Sequence, residues 1–207
     1  MRILTYTNNQ IFCSNSYFIV NDNNDALLVD PGDNSGKMTD FIKKNGLNVI
    51  AVLLTHVHYD HIAELPKIIE KIDPIIYVTQ EEFEAINNPV LNVSKFLAPG
   101  LTFKVKSNKI VILKDYQTVE LFDFKFTCIK TPFHTNGSCC FLFESDEILI
   151  TGDTLFKRSI GRYDLANSVP DKIVPSLAKL SKLSPTLTIY PGHGDISILG
   201  KELKNWL

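Results

Sequence analysis

Val49-Ile-Ala-Val-Leu-Leu-Thr-His-Val-His-Tyr-Asp-His61 decides how this chain is read. Its first six residues are wholly apolar, as expected for a strand covered on both faces. Its last six place three imidazoles and a carboxylate together. Such a cluster serves no packing purpose. Imidazole is the commonest metal ligand, and its neutral form offers one ring nitrogen to an ion. In an extended segment His56 and His58 point to the same side, whereas Asp60 and His61 fall where the chain turns into a helix. One tetrahedral ion would not take all four comfortably, but two ions would.

The rest of the chain repeats the arrangement one ligand at a time. Only two histidines lie elsewhere, His134 in Thr131-Pro-Phe-His-Thr135 and His193 in Pro191-Gly-His-Gly194. Asp153 ends Ile148-Leu-Ile-Thr-Gly-Asp153, and Asp30 ends Ala26-Leu-Leu-Val-Asp30 before Pro31-Gly32. Each follows an apolar strand-like run. Sheets gather ligand sites along the edge where strands end. Five such strands side by side would bring these residues together. With His134, Asp153 and His193 the donors number seven, and one shared carboxylate makes two balanced shells. Asp30 is left to orient a ligand histidine from behind.

The bulk numbers set bounds. A chain of 207 residues supports one sizeable core, and the expectation is a single domain over residues 1–207. A net charge of −2 without a basic block gives nucleic acid no electrostatic foothold. No apolar run is long enough to span a bilayer, so no membrane partner is expected. Met1-Arg-Ile-Leu-Thr-Tyr6 runs directly into strand-like sequence without a signal peptide, which points to a cytoplasmic protein. Cys13, Cys128, Cys139 and Cys140 form no Cys-x-x-Cys pair and read as buried reduced thiols.

The remaining pattern predicts a mixed α/β chain. A hairpin turns at Asn21–Asp25, and a helix over 37–45 is closed by Gly46. Helices are expected over 63–71, with Pro66 in the first turn, and over 80–87. Residues 88–108 read as a long functional loop with some helix. Strands follow over 110–113, 117–122, 125–129, 139–143 and 148–150. A helix over 169–183, a strand over 186–190 and a closing helix over 198–206 complete the chain.

Taken together, Asp30-Pro-Gly32, Thr55-His-Val-His-Tyr-Asp-His61, Thr131-Pro-Phe-His-Thr135, Thr151-Gly-Asp-Thr-Leu-Phe156, Gly161-Arg162 and Pro191-Gly-His193 resemble the metallo-β-lactamase-fold superfamily, and within it the glyoxalase II-like (hydroxyacylglutathione hydrolase-like) branch. The resemblance implies the four-layer αββα sandwich. It also implies one metal on His56, His58 and His134, a second on Asp60, His61 and His193, and Asp153 bridging them. Two Zn2+ are implied, with iron or manganese compatible with the same donors. Asp60 and Asp153 become the catalytic carboxylates beside a metal-activated hydroxide. Arg162 falls where relatives bind an anionic small-molecule substrate. The implied reaction is thioester hydrolysis. Alternatives on the same fold are lactone or other ester hydrolysis, and a persulfide dioxygenase-like reaction at one iron.

The chain departs from the glyoxalase II pattern in four places, one of them Ala63, where the family has Gly after the Asp-His-Ile step. Phe133 stands where the family has Gly, which puts a bulky ring near the site. Asp195 replaces a glutathione-holding Tyr. The chain is also expected to lack the C-terminal helical domain that supplies glutathione contacts.

Overall fold

The computed structural model describes residues 1–7, 14–33 and 35–206, and their contacts divide the chain into two units. The first takes in Met1–Val78 and Phe83–Ile112, the second Thr79–Glu82 and Leu113–Leu207. Each is built around a six-stranded mixed sheet.

The first sheet runs β1 (Arg2–Tyr6), β2 (Ser16–Val20), β3 (Asp25–Val29), then helix α1 (Met38–Lys44) and β4 (Asn48–Leu53). Helices α2 (Tyr59–Ile62) and α3 (Leu65–Ile72) lead to β5 (Ile75–Thr79); α4 (Gln80–Ala85) and α5 (Ser94–Leu97) lead to β6 (Ile110–Leu113). The strands lie in chain order, β1 to β6. The β2–β3 hairpin forms as expected, because the Asn21 side chain accepts from the backbone N–H groups of Asn23 and Asp25 and shapes the turn. The β3, β4 and β5 strands are parallel, so helical crossovers must join them.

The helix boundaries follow local chemistry. Gly46 adopts φ +61°, and its N–H and that of Leu47 return to Lys43 and Ile42, closing α1. Leu65, Ile68, Ile69 and Ile72 of α3 form one apolar stripe at helical spacing, with Pro66 in the first turn. That stripe packs into a core with Phe18, Val20, Leu28, Val52 and Ile76. The other side chains of β2 to β4, Tyr17, Ile19, Leu27, Val29, Ala51 and Leu53, are buried as well. The sheet is therefore covered on both faces, as the unbroken apolar runs anticipate.

In the second unit a meander of β7 (Gln117–Leu121), β8 (Phe124–Lys130), β9 (Cys139–Phe143) and β10 (Ile148–Gly152) comes first. A two-stranded ribbon of β11 (Leu155–Phe156) and β12 (Ser159–Ile160) follows, then α6 (Ile173–Leu180), β13 (Thr188–Pro191), β14 (Ser197–Ile198) and α7 (Leu199–Leu203). The sheet order is β14-β13-β10-β9-β8-β7, with β10 and β13 parallel. Leu177 and Leu180 of α6 and Leu199 and Leu203 of α7 pack with Ile129, Leu142, Leu149 and Ile189 of the sheet.

The mixed α/β class is as expected, but three details differ. The five ligand-delivering strands are not neighbours in one sheet: β3 and β4 belong to the first, and β8, β10 and β13 to the second. The helix expected over 169–183 opens with a 3-10 turn at Pro170–Lys172 and is regular only over Ile173–Leu180, with Pro175 in its first turn. The β11–β12 ribbon and β14 escape sequence reading because two-residue strands carry no period.

Cys128, Cys139 and Cys140 are buried thiols, and burial pushes Cys140 up to about 11; Cys13 lies outside the described residues. Among the described residues no helix is long and apolar enough to cross a membrane. Phe18 is fully buried in the first core, so Phe18→Ala should cost about 3–5 kcal/mol in urea unfolding.

Candidate metal centre

Asp30 and Thr55 meet because β3 and β4 are parallel and in register, Val29 opposite Leu53. Both chains therefore leave the sheet at the same edge. The Asp30 N–H still donates to the Leu53 carbonyl (3.1 Å), and the residue then turns with φ +49°. Its buried carboxylate accepts from the Thr55 backbone N–H at Oδ1 (2.8 Å) and from the Thr55 hydroxyl at Oδ2 (2.6 Å). The same Oδ2 faces His61 Nδ1 at 2.9 Å.

This network sets two tautomers. A carboxylate oxygen can only accept here, so His61 carries its proton on Nδ1 and presents a bare Nε2. The single Thr55 hydroxyl proton is committed to Asp30, so its oxygen accepts from His56 Nδ1 at 3.1 Å. His56 likewise presents Nε2. The His56 ring stands 4.8 Å from that of His58 and 4.0 Å from that of His61, centroid to centroid. His58 precedes α2, and its carbonyl accepts from the His61 N–H (2.9 Å), which folds Asp60 and His61 back toward the pair. His61 Nε2 lies 3.9 Å from Asp60 Oδ2. All three histidines are buried, as is Asp30. Asp30, His56 and His61 each offer a donor atom within 4.8 Å of the others.

Gly32 explains the Asp-Pro-Gly turn. A Cβ there would stand 1.9 Å from the Asp60 carbonyl oxygen and 2.3 Å from Ser14 Oγ. Only glycine lets the turn press against the backbone of Asp60.

In the second unit His134, Asp153 and His193 follow the C-terminal ends of β8, β10 and β13. The Gly192 N–H donates to the Gly152 carbonyl (2.9 Å), tying the ends of β13 and β10 together. Asp153 Oδ2 lies 3.5 Å from His134 Nε2 and 3.7 Å from His193 Nε2. One carboxylate oxygen thus faces two imidazoles. His134 donates from Nδ1 to the Arg162 carbonyl oxygen at 2.7 Å, which again leaves Nε2 for a ligand. A Cβ at Gly161 would stand 2.0 Å from the Asp153 carbonyl oxygen and 3.1 Å from His134 Nδ1, so glycine is required beside both.

Neutral imidazoles with Nδ1 anchored, joined by carboxylates, are a donor set suited to zinc, iron or manganese. The residues present therefore fit the metal that the motif implies. The first unit brings His56, His58, Asp60 and His61 together, and the second His134, Asp153 and His193.

Sequence reasoning missed several supporting groups. Thr55 orients His56, and the Arg162 carbonyl orients His134. Ser168 donates to the His134 carbonyl at 2.8 Å. Backbone acceptors leave no mark in a sequence. The Phe133 ring does not narrow the site. It is fully buried in a core with Ile129, Leu142, Leu177 and Ile189. The Arg162 guanidinium is exposed and forks onto Asp164 through Nε (2.7 Å) and a terminal nitrogen (2.9 Å), which raises its own pKa and lowers that of Asp164. Asp195, in place of the family Tyr, pairs with Lys157 at 2.8 Å.

The sequence profile of the Metallo-beta-lactamase superfamily matches residues 12–193, and the chain belongs to that family. The "Probable metallo-hydrolase M6_Spy0554" of Streptococcus pyogenes serotype M6 is 36% identical over 199 residues, 95% of this chain and 85% of that protein. A hydroxyacylglutathione hydrolase of Francisella philomiragia is 30% identical over 86% of this chain and 62% of its own length. Among solved structures, BLEG-1 B3 metallo-beta-lactamase superposes with a TM-score of 0.88 at 26% identity, over 98% of this chain and 97% of that one. TTHA1623 in a di-iron-bound form gives 0.81 at 28% identity, over 100% and 98%. The fold is that of the metallo-β-lactamase superfamily, and the chain is a metallo-hydrolase of that superfamily.

Asp30 orients His61 and, through Thr55, His56. Asp30→Ala should therefore weaken metal binding about 10–100-fold in a chelator competition. Unchanged affinity would remove Asp30 from the site.

Proposed function

We propose that the two donor groups serve one binuclear centre that hydrolyses a small thioester. In this reading His56, His58 and His134 hold one ion, Asp60, His61 and His193 hold the other, and Asp153 is shared. The observation that carries it is the single Asp153 oxygen facing His134 and His193, one histidine from each proposed shell. A carboxylate oxygen so placed is suited to bridging.

When bound, a metal pair activates a shared water near neutral pH and polarises a carbonyl. The chain's own residues do the rest. Asp30, Thr55 and the Arg162 carbonyl keep Nδ1 protonated on the ligand histidines, so that Nε2 stays available. The Asp60 and Asp153 carboxylates supply negative charge to the ions and can accept a hydrogen bond from the attacking water, orienting it. A thiolate leaves without prior protonation, which suits a site built of carboxylates and imidazoles presented as ligands.

The thioester class is supported by the likeness to the Francisella hydroxyacylglutathione hydrolase. An anionic substrate tail is supported by Arg162, whose exposed guanidinium already pairs with the Asp164 carboxylate. A substrate carboxylate would exchange with Asp164 for the same fork. The protein is read as cytoplasmic, acting on small molecules.

The test is metal content together with turnover on a panel of thioesters and lactones. Two ions per chain and thioester cleavage are expected. One iron per chain with stoichiometric oxygen uptake on a persulfide would replace this reading with the dioxygenase one. Asp153→Ala should abolish turnover while the chain keeps its circular dichroism spectrum; full activity in that variant would end the bridging role. Arg162→Ala should raise KM about tenfold with kcat little changed, the size of one charge-assisted hydrogen bond. An unchanged KM would return Arg162 to the surface.

A further inference from the structure

We propose that Glu82 is the positioning residue for His134, acting through the turn that follows it; this rests on the reading of His134 as a metal ligand. Glutamate is almost never fully buried unless its carboxylate is paired, and Glu82 is fully buried. Its Oε1 accepts from the Thr135 hydroxyl at 2.7 Å and from the Gly137 N–H at 2.9 Å. Three residues earlier, Thr79 donates its hydroxyl to the Gly137 carbonyl at 2.7 Å. Both polar groups of the Gly137 backbone are thus taken by the segment Thr79–Glu82.

The approach is too close for any other residue at 137. A Cβ there would stand 2.7 Å from Thr79 Oγ1 and 2.8 Å from Glu82 Cγ and Oε1. The neighbouring Glu81 takes the Lys130 ammonium at 2.5 and 2.7 Å, on the other side of the histidine in sequence. His134 therefore sits in a segment gripped at Lys130 by Glu81 and at Thr135 and Gly137 by Glu82. The same contacts place Thr79–Glu82 with the second unit, although the residues on either side of it in the chain belong to the first.

The grip matters for direction. The His134 ring is held at Nδ1 by the Arg162 carbonyl and its backbone carbonyl by Ser168. The N–H of the same peptide, that of Thr135, donates to Ser138 Oγ at 2.9 Å, so the His134–Thr135 peptide is held by neutral partners. Glu82 anchors the turn beyond that peptide, taking one hydrogen bond from the Thr135 hydroxyl and one from the Gly137 N–H on the same oxygen, the stronger kind when the acceptor is charged. Releasing that turn lets the imidazole rotate away from its Asp153-facing pose.

The experiment compares the full-length wild type with Glu82→Gln, which keeps an acceptor oxygen, and Glu82→Ala, which does not. Two readouts are used: chelator competition with Zn2+ or Co2+, and the imidazole 15N resonances of His134 and His61 in metal-free protein. Glu82→Ala should lower metal affinity about 10–100-fold, shift the His134 resonances and leave those of His61 in place, with Glu82→Gln close to wild type. Wild-type affinity and unmoved His134 resonances in Glu82→Ala, whatever its melting temperature, would overturn the proposal. Should Glu82→Ala fail to fold, Thr135→Val removes one of the two bonds and should shift His134 in the same sense to a lesser degree; an unshifted His134 there overturns it equally. Wild-type protein that binds no metal, with His134 still displaced in Glu82→Ala, would refute the metal reading and leave the positioning role standing.

Discussion

The hydrogen bonds of one buried carboxylate, Asp30, are what the histidine cluster of the first unit depends on. Its two oxygens accept from the Thr55 N–H, the Thr55 hydroxyl and His61 Nδ1. Removing any acceptor from such a buried network leaves donors unsatisfied, at a cost of about 1–3 kcal/mol each. The arrangement exists only because β3 and β4 are parallel and adjacent, so that Asp30 and Thr55 leave the sheet together. From it follow the tautomers of His56 and His61, and from those the direction in which Nε2 points.

The second unit reaches the same end with different chemistry. His134 uses a backbone carbonyl, that of Arg162, where His61 uses a carboxylate. A neutral acceptor forms a weaker hydrogen bond than a charged one, so the two rings are not held equally firmly. Both units use close backbone approach. Gly32 lets a turn press against the Asp60 carbonyl, and Gly161 does the same at Asp153. In each case the glycine abuts the backbone of a carboxylate donor, so the carboxylates are placed by packing of main chain against main chain.

Much of this was legible beforehand. The cluster from His56 to His61 declared a metal site by composition alone, and the end of each apolar run marked Asp30, His134, Asp153 and His193. The strands and most helices followed from period and punctuation, Gly46 and Pro66 included. What could not be read was sheet membership. Alternation says which face of a strand is apolar and nothing about which neighbour it pairs with, so five ligand-bearing strands looked like one sheet and are divided between two. Phe133 failed for a related reason: its place beside His134 in the chain says nothing about which side its ring takes, and it lies in the core.

The sequence by itself pointed to metal chemistry and to the residues suited to be donors, because ligand type and spacing along a strand end are local properties. Only the tertiary structure decided which nitrogen of each histidine is presented, which carbonyl stands behind His134, and that Glu82 grips the turn after it. Those depend on hydrogen bonds between groups 25 to 53 positions apart. No local pattern specifies such partners; they are chosen when the sheets form and bring the strand ends into reach.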